Sequence, residues 1–114
     1  MPMTYHFDGE RGFLSRAQMD DLPDSSFALV IPGRKDADGK TIPRGLRLLP
    51  FKDSSGTLIE PEARNAFSAL NQMRRTDVPT AAKVAAWKRV VVAFEAWYES
   101  REFDWKFVPP PRKF

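Results

Sequence analysis

An α+β fold follows from three observations along this chain of 114 residues. Phe27 to Ile31 is an apolar run between Asp24-Ser25-Ser26 and Pro32-Gly33, which predicts a short strand buried on both faces. Two related turn sequences, KDADGKTIP and KDSSGTLIEP, lie seventeen residues apart. They predict the same turn used twice, with Asp accepting local backbone bonds and Gly closing the turn. From Ala81 to about Arg101, Val84, Trp87, Val91, Phe94 and Tyr98 form one helical stripe, widened by Val90, Ala93 and Trp97, with Lys83, Lys88, Glu95 and Glu99 largely opposite. The expected architecture is a small irregular antiparallel sheet or ribbon over residues 27–59. It packs on two helices, about 61–74 and 80–101, and carries extended N- and C-terminal arms.

The chain divides into an N-terminal arm with a short helix (1–21), a single α+β domain (22–101) and an aromatic, proline-rich C-terminal arm (102–114). In the first arm, Thr4 to Phe7 reads as a short strand, and Ser15 caps a helix over Arg16 to Asp21 with Gln18 completing a capping box. Pro23 ends that helix. Gly39 takes a positive φ in the first Asp-Gly turn. Thr41 to Phe51 has apolar anchors at Ile42, Leu46, Leu48, Leu49 and Phe51, but Pro43 and Pro50 deny it two backbone donors. It is expected to be extended or an edge strand, with Arg44 and Arg47 projecting outward. Pro61 opens a helix carrying Ala63, Ala66, Phe67, Leu70 and Met73 at helical spacing, and Arg74 and Arg75 suit its C-terminal end. Residues 76–80 break the chain before the second helix. In the tail, Phe103, Trp105 and Phe107 alternate with Asp104 and Lys106, the period of a strand or an extended arm, and Pro109 to Pro111 favour polyproline II.

Composition narrows the function classes. There is no cysteine, so disulfide and thiolate chemistry are excluded. No apolar run approaches the roughly 20 residues of a membrane span, and the N-terminus lacks signal-peptide character. The default expectation is therefore synthesis in a cytoplasm, without membrane partners. One histidine, His6, offers neither a catalytic base beside a serine nor a pair for zinc. Asp36-x-Asp38-Gly39 runs straight into Lys40 without the later ligands of a calcium loop, and no phosphate-binding glycine motif is present. No catalytic residue, metal ligand or cofactor is assigned.

Binding remains. The net charge of +3 is mild, but its distribution is uneven: residues 1–26 carry −3 and residues 27–52 carry +4. Arg34, Lys35, Lys40, Arg44, Arg47 and Lys52 form a basic patch that either faces the acidic segment or is free for an anionic partner such as nucleic acid, with Arg74, Arg75, Lys88 and Arg89 able to extend it. Three Trp and nine Phe exceed what a core of this size must bury. Phe103, Trp105 and Phe107, with Arg112 and Lys113, are therefore expected to dock on a partner.

Leu22-Pro23-Asp24-Ser25, the Asp36 to Lys40 turn, Thr41-Ile42-Pro43-Arg44, Leu49-Pro50 and Arg64-Asn65-Ala66 occur in one order over about residues 22–80. In that order they resemble a small domain of bacteriophage and prophage proteins, found alongside prohead proteases and other head-morphogenesis proteins. The chain departs from the pattern at Gly45, where the family has Ser, and at Glu62-Ala63, where a His precedes the Arg-Asn-Ala. The second helix and the aromatic tail lie outside the resemblance. The resemblance implies a phage context and no particular reaction. The expected function is a non-enzymatic phage protein acting by protein–protein binding, as a structural or accessory virion component in capsid assembly. The second reading is a small basic nucleic-acid-binding or regulatory phage protein, including an inhibitor of a host defence system.

Overall fold

The computed structural model describes residues 13–103 and 105–114. The strand expected over Thr4 to Phe7, and His6, lie outside the described residues. The elements run α1 (Arg16–Asp21), β1 (Phe27–Val30), β2 (Arg34–Lys35), β3 (Thr41–Ile42), β4 (Arg47–Pro50), α2 (Glu60–Gln72) and α3 (Thr80–Ser100). β1 pairs antiparallel with β4, and β2 with β3, as two two-stranded sheets. The α+β architecture read from the sequence is the one observed.

The central ribbon is built from the same device used twice. Pro23 and Pro43 each lead into a one-turn 3-10 helix (Asp24–Ser26 and Arg44–Leu46) that runs directly into a strand. Register is Phe27 to Pro50, Leu29 to Leu48 and Val30 to Arg47. At the two ends, Phe51 N–H donates to the Ser26 carbonyl (2.9 Å) and Ile31 N–H to the Leu46 carbonyl (2.8 Å). The prolines therefore sit where no ladder donor is needed, which is how a proline-interrupted segment still forms a strand.

The Asp turns are also duplicates. Asp36 Oδ1 accepts from the N–H of Asp38 and Lys40, both at 2.9 Å. Asp53 Oδ1 accepts from the N–H of Ser55 and Thr57 at the same 2.9 Å. Gly39 and Gly56 close the turns at φ +82° and +88°, a conformation that penalises any Cβ. The sequence echo is thus one turn geometry used twice.

The ribbon packs on α2 and α3. Ala63, Ala66, Phe67 and Leu70 of α2 are buried, as are Ala86, Trp87, Val90, Ala93 and Phe94 of α3. Ala28, Leu29, Phe51 and Leu58 come from the ribbon side, and Val78 from the interhelical break. α2 begins with Glu60, Pro61 and Glu62, where the missing proline donor costs nothing and the acids suit the N-terminal dipole. A second small cluster, Leu14, Leu22, Phe27 and Ile59, seats α1. Its capping box is present: Ser15 Oγ accepts Gln18 N–H (3.2 Å) and Gln18 Oε1 accepts Ser15 N–H (3.0 Å).

Among its described residues the tail forms no strand; it is extended and lies back across α2 and α3. Phe107 is buried, stacked on Phe94 (4.4 Å, 6°) and Phe67 (6.0 Å, 12°). Asn71 grips the segment beyond it, donating to the Pro111 carbonyl (3.0 Å) and accepting Lys113 N–H (2.7 Å). Phe114 then meets Trp87 edge-on at 5.6 Å, with Lys83 and Arg112 over its ring. A planar apolar side chain within reach of two stacked rings is worth more inside than on a partner, so Phe107 is withdrawn from the docking set.

Candidate functional site

The fate of the basic stretch decides where a ligand can bind. Arg47 points inward, contrary to the outward projection expected. Its side chain is 4 % exposed, its guanidinium donates to the Leu22 carbonyl and to those of Met19 (3.1 Å) and Asp20 (3.3 Å), and it lies over the Phe27 ring at 4.5 Å. A six-residue helix leaves its last carbonyls short of the usual helical donors, and Arg47 caps them from across the fold alongside the Leu22 N–H that bonds the Met19 carbonyl. Lys40 Nζ donates to the Asp20 carbonyl (3.1 Å), Arg44 pairs with Asp20 (2.7 Å), and Lys35 pairs with Asp24 (2.6 Å). Four of the six basic residues thus face the acidic segment. Arg34 is exposed on β2, and Lys52 has its ammonium 5.1 Å from the Phe51 ring.

Asp24 is the hub of that junction. Its carboxylate accepts from Lys35 Nζ (2.6 Å), Thr41 Oγ1 (2.6 Å) and Thr41 N–H (2.9 Å). Burial alone would raise its pKa, but the bonds from Lys35 and Thr41 and the Lys35 charge outweigh it and hold the group at about 2, down from 3.8. A carboxyl depressed in the folded state adds stability above its unfolded pKa and loses it as pH falls through the folded value. The side chain is 20 % exposed, and the shift corresponds to about 2 kcal/mol. Wild type and Asp24→Asn should therefore differ by about that amount in urea unfolding at pH 6 and converge near pH 2. An equal difference at both pH values would refute the charge as the cause. Glu62, buried and pushed upward by desolvation while accepting Leu14 N–H at 2.6 Å, acts with the opposite sign and cancels in this comparison.

Between β1 and the first half of α3 lies a cleft of about 980 Å³. Its floor comes from Phe27, Leu29 and Val30 on one side and from Ala82, Ala85 and Val92 on the other. The α3 residues recur at helical spacing, and the two alanines leave the space that larger side chains would fill. Val92 is 62 % exposed here. Lys35, Lys52, Lys88 and Arg89 also line the cleft, against the single carboxylate of Asp24, which is already ion-paired. Arg89 is anchored by donating to the Ala28 carbonyl at 2.7 Å.

No family model, curated protein or solved structure matched this chain.

The structure therefore reorders the sequence-derived patch. It joins Lys35 and Lys52 to Lys88 and Arg89, and leaves Arg34, Lys40, Arg44 and Arg47 out of the cleft. Sequence reading missed the apolar floor, because Val92 and the two alanines sit on a helix whose stripe already explains a core. The one available signal was the face Ala82, Ala85, Arg89, Val92, which is neither charged enough for solvent nor large enough for a core. Of the tail residues, Phe103 and Trp105 remain on the surface, Arg112 and Lys113 are exposed, and Phe107 is internal. Among the described residues, no group of three or more His, Cys, Asp or Glu is placed to hold a metal ion, and no helix is long and apolar enough to cross a membrane.

Proposed function

We propose that this is a non-enzymatic binding protein of a phage particle, whose cleft takes an acidic segment with apolar anchors from another virion protein. The observation that carries the reading is the pairing of an apolar floor with Lys52, Lys88 and Arg89 in one open cleft, where Lys35 is already held by Asp24. Such a surface gains affinity by burying aliphatic side chains and gains register and on-rate from the charges. A phosphate backbone would use the charges and leave Val92 and Leu29 idle, and no exposed ring lines the cleft for base stacking. The phage context rests on the order of motifs from Leu22-Pro23 to Arg64-Asn65-Ala66. Nucleic-acid binding or regulation is the second reading, favoured by the same cations.

The test uses two probes: a twelve-residue peptide alternating Glu with Leu, and a thymidine dodecamer. The peptide should bind, and Lys52→Gln/Lys88→Gln should weaken it about tenfold, the equivalent of about 1.4 kcal/mol over two charge contacts. Val92→Asp should abolish peptide binding. Retention of the oligonucleotide near physiological salt, without the peptide, would transfer the assignment to the second reading. Absence of the chain from gradient-purified particles would remove the virion role.

A further inference from the structure

A second cleft, opposite in character, lies at the other end of α3. It begins with how the helix stops. Phe103 N–H bonds to the Tyr98 carbonyl (3.4 Å) and Glu102 N–H to the Glu99 carbonyl (3.1 Å). Glu102 sits at φ +57°. This is the double-bonded left-handed stop that usually has glycine at the turning residue, and it brings the next residue back onto the last turn of its own helix. Phe103 accordingly packs on Tyr98 at 4.8 Å, and Trp105 stacks on Phe103 at 5.0 Å and meets Tyr98 edge-on at 6.4 Å.

These three rings line a cleft of about 450 Å³ whose remaining walls include Phe107, Lys106 and two carboxylates, Glu95 and Glu99. Trp105 is 60 % exposed and Phe103 38 %. Glu95 and Glu99 stand four residues apart on one helix face, a like-charge spacing that costs a few tenths of a kcal/mol. Among the described residues neither has an ion-pair partner. The chain shows elsewhere what such a set holds: Arg64 lies over the Phe94 ring at 5.1 Å while donating to the Glu60 carboxylate at 2.9 and 3.1 Å. The second cleft has the rings and the carboxylates of that arrangement, but its own cation, Lys106, does not pair with them.

We infer that Tyr98, Phe103 and Trp105, with Glu95 and Glu99, form a recognition site for an arginine side chain presented by a partner protein. Guanidinium is the fitting cation. It stacks on ring faces with its plane while its fork bonds carboxylates, and a ligand of that shape relieves the Glu95–Glu99 repulsion. The site is independent of the basic cleft on β1 and α3, so the chain can bind an acidic and a basic surface at once.

The experiment is a titration of the full ¹⁵N-labelled chain with acetyl-Gly-Arg-Gly-Arg-Gly-amide, and with its citrulline and lysine counterparts, followed by NMR. The Trp105 indole and the amides of Phe103 and Glu99 should shift saturably with the arginine peptide. Glu95→Gln/Glu99→Gln should weaken binding about tenfold, Trp105→Ala should remove it, and Lys52→Gln/Lys88→Gln should leave it unchanged. Glu95, Glu99, Trp105 and Lys88 are exposed and Lys52 is half-buried, so unchanged melting temperatures will show that the fold is intact. Equal binding of the citrulline or lysine peptide, insensitivity to Trp105→Ala, or no saturable shift at millimolar peptide overturns the assignment. Self-association of the chain that disappears in Trp105→Ala overturns it too, by making a second copy the occupant.

Discussion

Phe107→Ala should lower the unfolding free energy by about 3 kcal/mol and free the end of the chain. The ring is buried against Phe94 and Phe67 and meets Tyr98 at 5.5 Å, so truncation empties a space walled by rings that cannot collapse into it. For a chain of this length, that loss corresponds to a fall in melting temperature of roughly 10 °C. Because Asn71 and Trp87 hold the segment only once Phe107 has placed it, Trp87 fluorescence should shift toward that of a solvated indole in the native state of the variant. A loss below about 1 kcal/mol would show that the tail is an accessory and not part of the core. The same geometry governs how the tail can be tested for docking. Deleting residues 103–114 removes a core anchor together with any binding surface, whereas substitutions at Trp105 or Phe103 touch the surface alone.

Arg47→Met should cost about 3 kcal/mol and release α1 from the fold. The guanidinium serves three carbonyls at the end of α1 and lies 3.7 Å from Asp24; removing it takes the charged donor from the buried Leu22 carbonyl and leaves those of Met19 and Asp20 with only Leu22 N–H and Lys40 Nζ. Arg47→Lys should recover less than half of the loss, since one ammonium cannot span carbonyls that two nitrogens now serve. Urea unfolding gives the energy, and hydrogen exchange over residues 15–22 gives the location. An isolated helix of this length is unstable in water, so protection there should vanish before global unfolding. If exchange in this segment is unchanged, Arg47 is not what holds α1.

Much of the scaffold was legible because local chemistry decided it. Ser15 with Gln18 forms a cap wherever a helix follows, and Asp with a glycine three residues on folds the same turn at Asp36 and Asp53 whatever surrounds it. α2 and α3 were readable because burying a stripe at helical spacing outweighs any competing pattern over twenty residues. The basic stretch was not readable as a site. Whether a cation faces solvent or an acid depends on which segment lies opposite, and Arg47, Arg44 and Lys35 were claimed by Asp20 and Asp24, more than ten residues away in sequence. The Glu102 turn was hidden for a simpler reason: a left-handed stop is signalled by glycine, and none marks it.

The sequence by itself determined the element types, the paired turns, the break between the long helices and the two-sided apolar face of β1, because each depends on periodicity or on bonds within a few residues. Tertiary structure alone decided which charges are spent and which are available, and it turned an apparent aromatic arm inward at Phe107 while leaving Phe103 and Trp105 outside. The physical reason is common to both. Charge pairing and ring stacking act between atoms a few ångströms apart in space, and only the folded chain says which residues those are.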